Sequence, residues 1–233
     1  MKLEYLILNL LIFSGPLVMS FEPQIHFRNR WRYAFPAIII AAIPYLIWDA
    51  LVVGSHWWFN ERYTLDWRLA GLPIEEWLFF IAVPFAGLFV WEVVKFYFPD
   101  REIAVMNRIR YFIYPLQLLG LLVFAKGNEY TGLVLIVIGS TAMLDRILKT
   151  NLLLRQQSLI FLAIALLLIL IFNSYLTWRP VVLYGEAYQL GFRIGTIPME
   201  DFGYGLSLIL LATIFYEKFL AFARPRSMPA KIS

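Results

Sequence analysis

The stretch GLPIEEWLFF (residues 71–80) governs how the rest of the chain is read. Two adjacent carboxylates, Glu75 and Glu76, stand between a proline and a strongly apolar run. Pro is favoured at the first helical position, and acids stabilise the positive end of the helix dipole over the first turn, so a single copy of this pattern marks a helix start. The pattern returns. Pro73-Ile74-Glu75-Glu76 recurs 125 residues later as Pro198-Met199-Glu200-Asp201, within TIPMEDFGYG (196–205). The flanks follow: Glu92 corresponds to Glu217, and Asp49 falls within one residue of Asn173. Repetition at a fixed period is the signature of a structural unit used twice.

The chain has 233 residues, of which 61% are hydrophobic and 15% charged, a balance that belongs to membrane proteins and not to ordinary soluble domains. Windows long enough to cross about 30 Å of hydrocarbon lie near 3–20, 34–54, 75–96, 110–126, 130–148, 158–177 and 198–220. The expected fold is therefore all-α and polytopic, with seven transmembrane helices. Two three-helix repeats, at 1–108 and 130–233, flank a connecting span at 109–129. Gly127-Asn128 requires a tight helical hairpin between the fourth and fifth windows. The first window lacks the basic flank and cleavage site of a signal peptide and reads as a membrane helix.

Corresponding helices are four spans apart, so the repeats run parallel, related by an axis along the membrane normal. Both acidic motifs then lie at one depth. Lys and Arg concentrate in the segments after spans one, three, five and seven, which predicts a cytoplasmic C-terminus and an outer N-terminus, in a cell (inner) membrane. Trp57, Trp58, Trp67 and Trp77 fall on the opposite, outer side, as an aromatic belt does. No basic block suggests nucleic acid, and the absence of Cys excludes thiol chemistry and disulfides.

Ionisable groups at membrane depth are costly and face interior cavities. Small residues mark close helix packing in membranes, and Ala82, Ala86, Gly203 and Ser207 share a helix face with Glu75 or Glu200. This spacing predicts that the first acid of each pair points inward. Asp49 is placed to meet Glu75 in the same half of the membrane, while Glu92 and Glu217 lie about 25 Å further along and read as salt-bridge or interface residues. Trp48, Trp77, Phe79, Phe80, Phe202 and Tyr204 are candidates to stabilise a cation through their π faces. His26 and His56 occupy opposite loops, so no histidine metal site is expected.

Trp48-Asp49, LPIEEWLFFIAVPF (72–85) and TIPMEDFGYG (196–205) together resemble the membrane-integral lycopene cyclase domain, found in bacteria and archaea as two small subunits or one fused chain, and at the front of bifunctional fungal carotenoid enzymes. The resemblance covers most of the chain and is closer in the first repeat. Asn173, where an acid would match Asp49, and FGYG after the second motif depart from it, so the halves are not chemically equivalent.

That resemblance implies acid-catalysed cyclisation of the linear ψ ends of lycopene or γ-carotene to β rings, an isomerisation without net redox. It needs a protonated carboxylic acid, a base and a dry aromatic setting. Paired carboxyls in a buried site suit Glu75 and Glu200 as donors, with Glu76, Asp201 or Asp49 as partner or base, and Asn173 as a pocket residue. No GxGxxG fingerprint is present and no cofactor is expected. The implied partners are a linear carotenoid and the bilayer; self-association or association with other carotenoid enzymes is left open. The alternatives are a small parallel-repeat transporter and another membrane carotenoid enzyme, such as a hydratase. Pro44 and Pro84 lack the matching breaks a transporter would carry, and the aromatic surroundings disfavour water as a nucleophile.

Overall fold

A computed structural model describes residues 2–223. The basic tail residues Arg224, Arg226 and Lys231, which entered the charge asymmetry, and the end of the second repeat lie outside the described residues. The chain runs through α1 (Glu4–Met19), α2 (Trp31–Val52), β1 (Trp57–Phe59), β2 (Arg68–Leu69), β3 (Leu72–Pro73) and α3 (Ile74–Tyr97). It continues through α4 (Met106–Ile113), α5 (Leu116–Ala125), α6 (Glu129–Ile147), α7 (Gln156–Trp178), β4 (Val182–Tyr184), β5 (Arg193–Ile194), β6 (Ile197–Pro198) and α8 (Met199–Ala223).

Among the described residues six helical segments are long and apolar enough to cross a membrane: Phe27–Val52, Ile74–Tyr97, Met106–Ala125, Glu129–Ile147, Gln156–Trp178 and Met199–Ala223. The chain is an integral membrane protein. The first expected span is shorter: α1 has 16 residues, and at about 1.5 Å of rise per residue it falls short of the roughly 30 Å hydrocarbon core. The fourth span is broken into α4 and α5 at Tyr114-Pro115, where proline cannot continue the hydrogen-bond ladder. The tight hairpin of α5 and α6 forms as expected. Its backbones nearly touch, because a Cβ on Gly120 would lie 2.6 Å from the Gly132 carbonyl oxygen.

The 125-residue offset reappears in the pairings. β2 pairs with β3 (Arg68↔Pro73) and β5 with β6 (Arg193↔Pro198), forming hairpins that lead directly into α3 and α8. The first hairpin turns through Ala70 and Gly71, both with positive φ (53° and 80°), as a two-residue turn matched to strand twist requires. β1 and β4 occupy equivalent places in the two halves and pair antiparallel with each other, Trp57↔Tyr184 and Phe59↔Val182. That register maps onto itself when the halves are exchanged, as a twofold axis through the pair demands. These strands are what the all-α expectation lacked.

At the other end of α3 and α8 a reciprocal clasp closes the bundle. Trp91 donates Nε1–H to Glu217 (2.7 Å), and Tyr216 donates its hydroxyl to Glu92 (2.5 Å). Lys95 reaches both carboxylates, at 2.8 and 2.5 Å, and Arg30 pairs with Glu92. The ion-pair role expected for Glu92 and Glu217 is their observed setting. Phe85, Leu88, Trp91, Phe161 and Ile214 form the core above this clasp.

Candidate functional site

Between α1, α3, α7 and α8 lies a cavity of about 370 Å³, apolar along most of its wall. Its polar groups are confined to the end beside the hairpins: Asp49 on α2, Glu76 on α3, and Asp201, Tyr204 and Asn173 on α8 and α7, joined by Tyr5, Tyr130 and Tyr184. Phe79, Phe80, Trp57 and Phe59 complete this end.

The acids divide into two unlike groups. Glu76 accepts the Tyr5 hydroxyl at 2.6 Å, and Asp49, beside it at the same end of the cavity, accepts the Tyr204 hydroxyl at 2.7 Å. A carboxylate only accepts, so these two neighbouring carboxyls can bond to each other only when one of them carries a proton. Asp201 instead faces three neutral donors: Tyr130 (2.6 Å), Tyr184 (2.7 Å) and the Asn173 amide (2.7 Å). Burial, and then the facing Asp201, push the Tyr184 hydroxyl well above the usual tyrosine range, so it remains a donor.

The first acid of each pair is buried but turned away from the cavity. Glu75 accepts the Leu65 backbone N–H at 2.6 Å, and Glu200 accepts the equivalent Leu190 N–H at 2.8 Å together with the Thr131 hydroxyl at 2.6 Å. Each holds its hairpin against its helix, and each keeps a buried oxygen, Oε2, without a partner. The expectation that the first acid faces inward is therefore corrected to the second. Of the small residues that suggested it, Ala86 lines the cavity, whereas Gly203 and Ser207 serve helix packing. A Cβ on Gly203 would come within 2.5 Å of Val134 on α6, and Ser207 accepts the Tyr45 hydroxyl of α2 at 2.8 Å. Asp49 likewise meets Glu76 and not Glu75.

Among the aromatic candidates, Phe79, Phe80 and Tyr204 line the cavity, as does Asn173; Trp48, Trp77 and Phe202 do not. Trp48 packs edge-on against His56 and Phe124, and Trp77 donates to the Leu69 carbonyl oxygen of the first hairpin. Trp57, read as a belt residue, is 5% exposed and forms cavity wall. Tyr5, Tyr130 and Tyr184 were missed. Tyr5 and Tyr130 are 125 residues apart and bond to acids in matching positions, so the repeat itself held the signal.

His56 bridges a loop to the start of α6. Its Nε2 lies 3.0 Å from Glu129, its Nδ1 is 3.0 Å from the Ser55 hydroxyl, and Tyr188 stacks on its ring at 3.9 Å. Burial pushes this imidazole below its usual range, with Glu129 opposing the shift.

A family model described as Lycopene cyclase matches residues 3–94 and again residues 128–219. No curated protein and no solved structure matches the chain.

Proposed function

The chain belongs to the lycopene cyclase family, and from that premise we propose that it converts the ψ ends of lycopene and γ-carotene to β rings, an intramolecular isomerisation without net redox or cofactor. The observation that carries this reading is the buried pair Asp49 and Glu76, each held by a tyrosine hydroxyl, at the end of an apolar cavity. We assign residues 1–108 and 130–233 to parallel repeats joined by the span at 109–129, with the hairpin end outside the cell membrane and the Lys95 clasp at the cytoplasmic end.

Cyclisation starts when a proton adds to C2 of the terminal C1=C2 bond, leaving a tertiary cation at C1. C6 of the C5=C6 bond attacks C1, the C1–C6 bond forms and the charge moves to C5. Loss of the C6 proton closes the β ring: one proton enters, one leaves, and no electron is exchanged.

Asp49–Glu76 is the proton source, since it holds an acid proton against an apolar cavity. Tyr5 and Tyr204 hold the two carboxyls by hydrogen bonds (2.6 and 2.7 Å) as the proton leaves. Asp201, held by three neutral donors, faces the developing positive charge and, with the emptied pair, is the acceptor for the C6 proton. The faces of Phe79, Phe80 and Trp57 stabilise the cation and exclude water. Glu75 and Glu200 act as positioning residues that fix the hairpins.

Expression in bacteria that accumulate lycopene tests the reading. Wild type should yield β-ringed carotenes, and Glu76→Gln should abolish them with protein level intact. Unchanged lycopene beside well-expressed wild-type protein refutes cyclisation, and hydroxylated acyclic products would instead indicate hydration.

A further inference from the structure

The cavity is less symmetric than the chain that builds it. α1 lines it along one side with Leu11, Ile12, Gly15, Pro16 and Met19, whereas its counterpart α6 contributes Tyr130 alone. Three of the α1 residues, Leu11, Gly15 and Met19, border the cavity and are also exposed on the outside of the bundle. A Cβ on Gly15 would meet nothing within 4 Å. Phe161, Ala165 and Leu168 of α7 form the facing wall. The boundary between α1 and α7 is therefore open to the surroundings, and in a membrane the surroundings are acyl chains.

At the acid end the same seam is latched. Arg179 holds Glu4 at 2.9 and 3.1 Å, and Leu176 packs with Tyr5, Leu8 and Ile12. The equivalent seam, between α6 and α2, is filled throughout. Val137 and Leu144, counterparts of Ile12 and Met19, pack on Ala41, Ala42 and Tyr45. α5 covers the outside: Phe124 lies 5.9 Å from Trp48 ring to ring, and Ser140, the counterpart of Gly15, meets Gln117 at 3.4 Å.

We infer that the α1–α7 seam is a lateral entrance through which a linear carotene slides from the lipid with one ψ end leading, while the connecting helix plugs the equivalent seam. This rests on the cyclase reading for its substrate. From Tyr5 to Met19 the seam runs about 21 Å along α1 by helical rise. The ψ end sits at Asp49–Glu76 and the polyene lies past Gly15 and Met19 toward the bilayer. One entrance takes one end per visit, so a two-ring product requires release and re-entry.

The test uses the intact chain in nanodiscs with lycopene, following products over time. Gly15→Trp fills the seam without a backbone clash and should lower turnover at least tenfold. Leu122→Trp, on the 65% exposed lipid side of α5, should match wild type, and the monocyclic carotene should rise before the bicyclic one. The chain has no Cys, so a fluorophore on Gly15→Cys or Leu122→Cys labels one position; lycopene should quench the Gly15 label more strongly, and saturably. Turnover by Gly15→Trp within twofold of wild type, or equal quenching at the two positions, overturns the entrance. Absence of any ringed product from wild type removes the cyclase reading instead, and the quenching comparison still decides whether a polyene enters by this seam.

Discussion

Replacing Asp49 with asparagine isolates the proton from the shape of the site. The introduced amide would keep an acceptor for the Tyr204 hydroxyl, now 2.7 Å from the carboxylate, and would offer an N–H to Glu76. The second repeat already shows this arrangement, since the Asn173 amide donates to Asp201 at 2.7 Å. Hydrogen bonds and volume are thus retained, and what disappears is the acid proton between two carboxyls. A positioned general acid contributes about 10²–10⁴ in rate, or about 3–5 kcal/mol of barrier at about 1.36 kcal/mol per tenfold. Stability should change by less than about 1 kcal/mol, because no buried group loses its partner. The assay pairs initial rates on lycopene in nanodiscs with thermal unfolding of the same preparation. A rate within threefold of wild type removes Asp49 from the proton source, and a lost rate accompanied by lost folding reduces it to a structural residue.

Glu75→Gln should retain most activity, because the amide oxygen still accepts the Leu65 N–H. Glu75→Ala leaves that N–H unpaired and should cost about 1–3 kcal/mol in unfolding measurements; loss of turnover in Glu75→Gln with a normal melting temperature would return the donor role to Glu75. Glu217→Ala leaves the Trp91 N–H without its acceptor while Lys95 keeps Glu92 at 2.8 Å, and should destabilise by about 1–3 kcal/mol, measured in detergent, without altering the pH profile of turnover. For His56 the folded imidazole is depressed below 6.5. The unfolded chain therefore takes up more protons as pH falls through the unfolded value, and stability should drop below about pH 6.5. His56→Asn should flatten that part of the stability curve, and an unchanged slope would dismiss the argument.

The helices and the doubling were legible because both rest on features local in sequence: long apolar windows, and a PxE(E/D) motif repeated at a fixed offset. The inward acid was not legible. Helical periodicity says which residues share a face but not what covers the face. At the first turn Glu75 meets α1, where the Asn9 amide donates to the Glu75 carbonyl oxygen at 3.0 Å, while Glu76 meets the cavity, although Phe79 and Ala86 further along the Glu75 face line it too. The hairpins were equally hidden: two-residue strands give too short an alternation to read, and the first acids accept from Leu65 and Leu190 in the segments just before them. Span one was read at 3–20 and forms as Glu4–Met19, so its bounds were legible; what the window did not show is that 16 residues of helix are too few to cross the hydrocarbon core.

The two halves differ where the chemistry needs them to differ. Glu76 and Asp201 occupy equivalent positions, and Tyr5 and Tyr130 bond to them alike. Around that shared frame several positions differ, Phe79 against Tyr204 and Trp57 against Val182 among them, and two of the changes fall on the partners of Asp201. Asp49 in the first half corresponds to Asn173 in the second, which exchanges a carboxyl that can carry and release a proton for an amide whose hydrogens are not acidic. Phe59 corresponds to Tyr184, which gives Asp201 a further hydroxyl donor where Glu76 has an apolar ring nearby. A perfectly symmetric pair would present two identical acids to a cation that must receive one proton and surrender another. With these two substitutions, one side of the cavity holds a proton to give while the other holds an acceptor in place. The Asn173→Asp variant should therefore lower turnover even though it makes the halves more alike, and faster turnover in that variant would refute this division of labour.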